Sequence, residues 1–119
     1  MIVVNSSDVE AIVNKEGDPM IAKGPVYRKT IRDAGASEGP GVLLVTFAPG
    51  AKLNFHTHSV EQILYVTEGK GVIATRDKEY VVTPGMAVFI PAGEDHMHGA
   101  TEDSSFTHLA IYKGETKVT

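Results

Sequence analysis

Turn-forming residues recur at short, regular intervals along most of this chain, and this feature constrains the fold more than any other. Clusters rich in Gly, Pro, Asp and Ser interrupt the sequence at residues 33–41, 48–50, 68–71, 76–78, 83–85 and 91–93. The runs between them are rich in β-branched and aromatic residues, which favours strands at 26–31, 42–47, 63–67, 72–75, 80–82, 87–90, 96–101 and 106–112. Short strands at this spacing are typical of an all-β sandwich or barrel.

The N-terminal segment follows a different pattern. Ser7 and Glu10 have the spacing of a helix capping box, which predicts a short helix reaching Asn14 before the breakers at 17–19. Residues 1–4 could equally form an added strand. Because 119 residues fit one domain, we expect a single domain over 1–119 with an N-terminal extension over about 1–25.

Composition excludes several classes of function. The chain has no cysteine, and therefore neither a disulfide framework nor thiolate chemistry. Its net charge is −4 with scattered Lys and Arg, so no basic surface for nucleic acid is expected. Apolar stretches such as 42–45 and 86–90 are too short to span a bilayer, and residues 1–7 lack a signal-peptide pattern. The sequence predicts a cytoplasmic protein without a membrane or nucleic-acid partner.

Two of the predicted strands are apolar on both faces. Residues 42–45 and 63–66 contain no charged residue, although an antiparallel sheet normally shows a polar face to water. A chain of this length has little material to cover a second apolar face. A second copy would cover it, which predicts a homodimer.

The histidines are concentrated in the β region. His56 and His58 project to the same side of an extended segment, and Gln62 shares their parity, whereas Glu61 points away. His96 and His98 form a second pair with the same spacing. Imidazoles and an amide inside a barrel are costly to bury without partners, and a divalent ion would accept their lone pairs. The alternative is a site in which these polar groups pack around water.

The spacing of these residues extends to the neighbouring glycines and prolines. In order, the chain has Gly50, five residues, His56-Thr57-His58, three residues, Gln62, six residues and Gly69, and later Gly85, five residues, Pro91-Ala92-Gly93, two residues and His96. This arrangement resembles the two motifs of the cupin superfamily over about residues 42–112. A looser similarity, in stretches around residues 64–67, 96–100 and 107–110, is to cupins associated with carboxymuconolactone decarboxylase-type proteins.

The resemblance implies a double-stranded β-helix, or jelly roll, around one divalent transition metal ion such as zinc, iron, manganese or nickel. It implies His56, His58, Gln62 and His96 as the metal ligands. The chain departs from the family pattern twice, because Gln62 stands where Glu is usual and Ala100 where Asn is usual. With only neutral ligands the ion would keep its double charge, which predicts a stronger Lewis acid that attracts an anionic ligand.

The same parity argument predicts the pocket. Leu64 and Val66 should line it together with Gln62, and further candidates are Phe47, Met86, Phe89 and His108. His98 lies one pleat beyond His96 and is predicted as a catalytic acid or base. His98 could instead donate a hydrogen bond to a ligand or replace Gln62 on the metal, and His108 could point outwards.

Two functions are consistent with this site. The first is a metalloenzyme acting on a small anionic or oxygen-rich organic metabolite, as a dioxygenase, isomerase or decarboxylase. The second is a binding or accessory module that holds a sugar or metabolite without converting it. The fold alone does not decide between them, because cupins host many reactions.

Overall fold

The structure, a computed structural model, describes residues 1–119 and consists almost entirely of β-strands. There are thirteen strands: β1 (Ile12–Val13), β2 (Ile21–Lys23), β3 (Val26–Arg32), β4 (Gly41–Phe47), β5 (Lys52–Leu53), β6 (His56–His58), β7 (Gln62–Gly69), β8 (Gly71–Ala74), β9 (Glu79–Val82), β10 (Ala87–Ile90), β11 (Met97–Ala100), β12 (Phe106–Tyr112) and β13 (Thr116–Val118). Two short 3-10 helices lie at Ser6–Asp8 and Ala34–Ala36. No helix is long and apolar enough to cross a bilayer.

The strands form three antiparallel sheets. A six-stranded sheet has the order β1-β3-β4-β12-β7-β10, a five-stranded sheet has the order β2-β5-β11-β8-β9, and β13 pairs with β6 alone. From β7 to β12 the chain crosses repeatedly between the two large sheets. Strands β7, β10 and β12 belong to the first sheet, and β8, β9 and β11 to the second. This is the jelly-roll topology, and the predicted all-β class is confirmed.

The hydrophobic core lies next to the histidines. Phe47 of β4 and Phe106 of β12 stack with their ring centroids 5.7 Å apart. His108 follows on the same face of β12, with its ring 5.6 Å from that of Phe47. Likewise Gln62 begins the inward face of β7, and the buried Leu64 and Val66 follow it. The same strands therefore hold both the core and the polar site.

The turn between β7 and β8 shows why a motif glycine is required. Gly69 has φ +73°, a left-handed conformation that side chains rarely adopt. A Cβ atom at this position would also collide with the backbone carbonyl of Ser105. The tight turn holds β7 in one sheet and β8 in the other, on either side of the cavity described below.

The N-terminal prediction was wrong. The expected helix from Ser7 to Asn14 is reduced to the single 3-10 turn at Ser6–Asp8, where the Asn5 side chain accepts a hydrogen bond from the Ser7 N–H at 3.0 Å. The chain then extends, and β1 pairs with β3 through Ile12 opposite Arg28. Sheet pairing thus replaces the helical bonds that this short segment would have made. Residues 1–4 do not form a strand either.

Candidate metal centre

Two separate segments bring the predicted ligand histidines together. His56 in β6 lies opposite His96, which precedes β11, and their backbones exchange two hydrogen bonds of 2.9 and 3.0 Å. The His56 and His96 ring centroids are 4.3 Å apart, and His58 is 5.3 Å from His96. All three side chains are buried, and their candidate ligand nitrogens lie within 4.8 Å of one another.

Backbone carbonyls determine which nitrogen of two of these rings faces the cavity. The Nδ1 atom of His56 is 2.8 Å from the carbonyl oxygen of Asn54, and that of His96 is 2.9 Å from the carbonyl oxygen of Glu94. A carbonyl oxygen can only accept, so in each neutral ring Nδ1 carries the proton and Nε2 keeps its lone pair. This is the arrangement found in metal-binding histidines, where the nitrogen remote from the metal donates to a fixed acceptor.

The atoms that face the cavity have no partner within the protein. The Nε2 atoms of His58 and His96 and the Oε1 atom of Gln62 are buried without a hydrogen bond. Buried polar atoms are nearly always paired, and leaving one unpaired costs about 1–3 kcal/mol. Imidazole nitrogens and an amide oxygen are suitable ligands for a divalent transition ion. The donor set therefore fits the metal that the sequence predicts.

The electrostatics of the site favour the ligand form of each ring. Burial, and to a smaller extent the neighbouring His96, lower the pKa of His56 from 6.5 to about 4. Burial, with His56 and His96 next to it, lowers the pKa of His58 to about 4. The pKa of His96 is also lowered, mainly by burial. At neutral pH all three imidazoles are uncharged, which is the state that binds a metal ion.

A second pair of histidines lies beside the ligand group. The Nδ1 atom of His98 is 3.1 Å from Nε2 of His108, while Nε2 of His98 and Nδ1 of His108 are buried without a partner. The His98 ring centroid is 5.0 Å from that of His96 and 5.3 Å from that of His56. Burial holds the pKa of His98 well below 6.5 and lowers that of His108 to about 4. His108 therefore points inwards, and both rings are neutral at pH 7.

Most of these side chains line one cavity of about 70 Å³, whereas His96 lines a separate groove of about 490 Å³. The polar wall of the cavity is formed by His56, His58, Gln62, His98 and His108. Half-buried side chains of the N-terminal segment, Asn14, Asp18 and Met20, lie on the solvent side and form its mouth. The cavity is small, so its ligand can present only a few atoms to the polar wall.

Five of the predicted pocket residues lie elsewhere. Leu64, Val66 and Phe47 belong to the hydrophobic core and do not line the cavity. Each further inward-facing position along a strand lies further from the candidate metal ligands. Met86 and Phe89 are exposed and line a groove of about 490 Å³ between β9 and β10. Along β10 the buried position is Ile90, so Phe89 points to the opposite side.

Sequence analysis did not identify the side chains and carbonyls that hold the ligands. Asn54 and Glu94 each precede a ligand histidine by two residues, and this shared spacing is the only signal of their role. Thr116 was also missed, although its Oγ1 atom is 2.8 Å from Nδ1 of His58. It lies 58 residues from His58 along the chain, and no local pattern predicts the pairing of β13 with β6.

Comparison with known proteins identifies the family. Residues 43–112 match the family described as the cupin domain. The chain is 37% identical over 108 residues to a protein named (R)-mandelonitrile lyase from Granulicella tundricola, covering 83% of this chain and 82% of that protein. A cupin-like protein from Thermotoga maritima is 30% identical with a TM-score of 0.75, covering 88% of this chain and 89% of that one. A second Thermotoga maritima protein, described as a predicted oxalate decarboxylase, is 26% identical with a TM-score of 0.79, covering 96% of this chain and all of that one. The chain therefore belongs to the cupin domain family.

Proposed function

We propose that this cupin is a metal-dependent lyase that cleaves the carbon–carbon bond of a small cyanohydrin. The observation that carries the proposal is a group of buried ligand atoms without protein partners on His58, His96 and Gln62. The candidate ligand nitrogens of His58 and His96 lie within 4.8 Å of each other, and His58 and Gln62 line one cavity. The relative that is 37% identical over 83% of this chain is named for such a reaction, on (R)-mandelonitrile. The match is long enough to include both segments that carry the candidate ligands. This supports assigning the same class of reaction to this chain.

The reaction requires two proton transfers, one from the cyanohydrin hydroxyl and one to the departing cyanide. The hydroxyl proton of the cyanohydrin is removed, and the bond between the carbinol carbon and the nitrile carbon breaks. Its electron pair leaves with the nitrile carbon as cyanide, which takes up a proton, and an aldehyde remains. A divalent ion on the four ligands would supply Lewis-acid chemistry towards a substrate oxygen.

The residues beside the ligands can handle the protons. His98 is neutral at pH 7 and has an unpartnered Nε2 atom in the cavity, so this nitrogen can accept or donate a proton. His108 holds the other nitrogen of His98 at 3.1 Å and fixes the ring. The histidines and Gln62 that line the cavity are buried, which limits the access of water to a site that must generate and release cyanide.

The size of the cavity supports a small substrate. About 70 Å³ accommodates the hydroxyl and nitrile groups near the ligands but not a whole aromatic molecule. The remainder of a larger substrate would extend through the mouth formed by Asn14, Asp18 and Met20. Substrates with a short chain are therefore expected to fit without rearrangement, and aromatic ones by displacing Met20.

The test is turnover by protein loaded separately with manganese, iron, zinc or nickel. Racemic mandelonitrile and a short aliphatic cyanohydrin are supplied, and aldehyde release is followed together with the enantiomeric composition of the remaining substrate. We expect enantioselective cleavage with at least one metal and none in His96→Ala, whose fold is checked by circular dichroism. Binding without turnover for every metal would contradict the lyase and favour the binding module.

We also propose a homodimer. Exposed apolar side chains, Tyr80, Val81, Met86 and Phe89, lie on β9, on β10 and just before β10 at the free edges of the two large sheets. The same chain carries an exposed apolar segment at residues 1–4, near Ile31 and Val42 at the other side of the six-stranded sheet. A second copy could supply this segment to the groove. Reciprocal exchange would bury both surfaces about a twofold axis.

A further inference from the structure

We propose that Thr116 is a positioning residue that holds His58 in the tautomer needed for metal binding. The inference deepens the proposed function, since it concerns the same ligand set. It begins with a difference among the three histidines. His56 and His96 are fixed by carbonyl oxygens, which can only accept, whereas Nδ1 of His58 faces the hydroxyl of Thr116 at 2.8 Å. A hydroxyl can either donate or accept.

The direction of this hydrogen bond decides whether His58 can be a ligand. If Nδ1–H of His58 donates to Thr116, Nε2 keeps its lone pair and faces the cavity. If the Thr116 hydroxyl donates instead, Nε2 carries the proton and cannot bind a metal ion. The buried Nε2 atom makes no hydrogen bond within the protein, but the Gln62 side chain beside His58 favours a protonated ring. The partner of Nδ1 therefore has to counter this alternative.

Tyr112 allows the first direction. Its hydroxyl oxygen is 3.5 Å from Oγ1 of Thr116, within reach of the Thr116 hydroxyl proton. With that proton directed towards Tyr112, the Thr116 oxygen is free to accept from Nδ1–H of His58. The Tyr112 ring also lies 4.5 Å from the His58 ring and restricts its rotation. With this orientation of the hydroxyl, Thr116 acts on His58 as the carbonyls act on the other two candidate ligands.

The position of Thr116 is itself fixed. It lies directly opposite His58 in the pairing of β13 with β6. On one side of this pair the Ser59 N–H donates to the Glu115 carbonyl at 2.9 Å, and on the other the Thr119 N–H donates to the Phe55 carbonyl at 3.0 Å. Hydrogen bonds thus hold β13 at both ends, and the Thr116 hydroxyl cannot drift from the ring.

A further contact ties β13 to the second ligand segment. The Thr119 hydroxyl donates to Asp95 at 2.6 Å, and Asp95 also accepts a 2.7 Å bond from Arg76. Asp95 directly precedes His96, so β13 contacts both ligand segments. Residues 116–119 lie beyond the region 43–112 that matches the family, which makes this support a feature of the chain outside the matched domain.

The test compares metal affinity in Thr116→Val, Thr116→Ser and Thr57→Val, measured by isothermal titration. Valine keeps the shape and strand propensity of threonine but removes the hydroxyl, whereas serine keeps the hydroxyl. Thr57 lies between the two histidines of β6 and is the matched control. We expect Thr116→Val to weaken binding by about 10–100-fold, the effect typical of losing a partner of a metal-binding histidine. Serine should restore affinity, and Thr57→Val should match the wild type.

The second measurement reads the tautomer directly in the metal-free protein. Long-range proton–nitrogen correlation spectra distinguish the protonated ring nitrogen from the bare one. We expect His58 to be protonated at Nδ1 in the wild type and to shift towards Nε2–H in Thr116→Val. Wild-type His58 protonated at Nε2, or Thr116→Val binding metal as tightly as Thr57→Val, would overturn the proposal. If the wild type bound no metal, the proposed function would fail, whereas the spectra would still decide the role of Thr116.

Discussion

His56 and His96 lie directly opposite each other and exchange two backbone hydrogen bonds, although forty positions separate them in the sequence. The bridge fixes the distance between the two ligand segments before any ion binds. A third bond, from the Gly93 N–H to the His58 carbonyl at 2.9 Å, holds the same segments one step further along. The backbone pairing therefore places the candidate ligands side by side without a metal ion.

Replacement of one bridging ligand should abolish metal binding with little change in fold. We expect purified His56→Ala to contain less than about a tenth of the wild-type metal, since losing a ligand exceeds the 10–100-fold effect of losing a ligand's partner. The backbone bridge to His96 does not use the side chain and should survive. Elemental analysis of protein purified without chelator measures the loss, with Thr57→Val as control. Full metal content in His56→Ala would contradict the ligand assignment.

Substitution Gln62→Glu should tighten metal binding and slow catalysis. A carboxylate would offset one unit of the ion's charge, which we expect to improve affinity at least about tenfold and to weaken the Lewis acid. The double substitution Glu61→Gln/Gln62→Glu exchanges the two residue types, so the net charge is kept and the variant serves as the control. Glu61 is exposed and Gln62 is buried, so only the change at position 62 alters the site. Competition titration and kcat are measured for both variants. Weaker binding in both would show that Gln62 does not face the ion.

Much of the fold could be predicted because its signals are local. The strands at 87–90 and 106–112 coincide with β10 and β12, since turn-forming residues bound them and mostly apolar residues fill them. β2, β5 and β13 were missed because two or three residues carry no detectable period. The predicted helix at 7–14 failed because capping residues alone do not outweigh pairing with a neighbouring strand.

The candidate site could be predicted only in part, for a related reason. Parity placed His56, His58 and Gln62 on one face, and the structure brings them together with His96. Parity did not indicate depth, so Leu64 was assigned to the pocket although it lies in the core. Contacts such as that between His58 and Thr116 depend on strand pairing over a long sequence separation, which no local pattern encodes.

The metal-free protein should lose stability in acid. The pKa values of His56, His58 and His108 are about 4 in the folded protein, against 6.5 when exposed. Between pH 6.5 and about 4 the unfolded chain binds more protons, so stability is complete above pH 6.5 and falls as the pH decreases. Urea unfolding across this range, with His108→Asn for comparison, measures the slope. A flat profile would contradict burial of neutral imidazoles.

Bound metal should shift this acid transition. Protons and the ion compete for the same lone pairs, so saturating metal is expected to move the midpoint to lower pH and to be released as the rings protonate. The shift is measured by repeating the urea series with metal and following free ion. His108 is not among the predicted ligands, and its substitution should leave the metal-dependent part of the shift unchanged.

The oligomeric state can be tested at the two edges of the six-stranded sheet. Phe89 on β10 is 62% exposed and Ile12 on β1 is 64% exposed, so each offers a similar apolar surface. We expect Phe89→Asp to dissociate the homodimer and Ile12→Asp to leave it intact, because a charge buried in an interface is strongly unfavourable. Light scattering after size exclusion gives the mass. Dissociation by Ile12→Asp alone would place the interface at the opposite edge, and a monomeric wild type would contradict the dimer.

Substitution of His98 separates catalysis from metal binding. The His98 ring contacts those of His56 and His96, yet only its hydrogen bond to His108 fixes it within the protein. If Nε2 of His98 moves the substrate proton, His98→Ala should retain wild-type metal content and lose kcat by about 10²–10⁴-fold. His108→Asn removes the hydrogen-bond partner of His98 but leaves Nε2 of His98 in the cavity. The loss of kcat in this variant should therefore be smaller. Metal content and kcat are measured on the same samples. Loss of metal in His98→Ala would make this ring a ligand, and unchanged kcat with full metal would assign the proton transfer to another group.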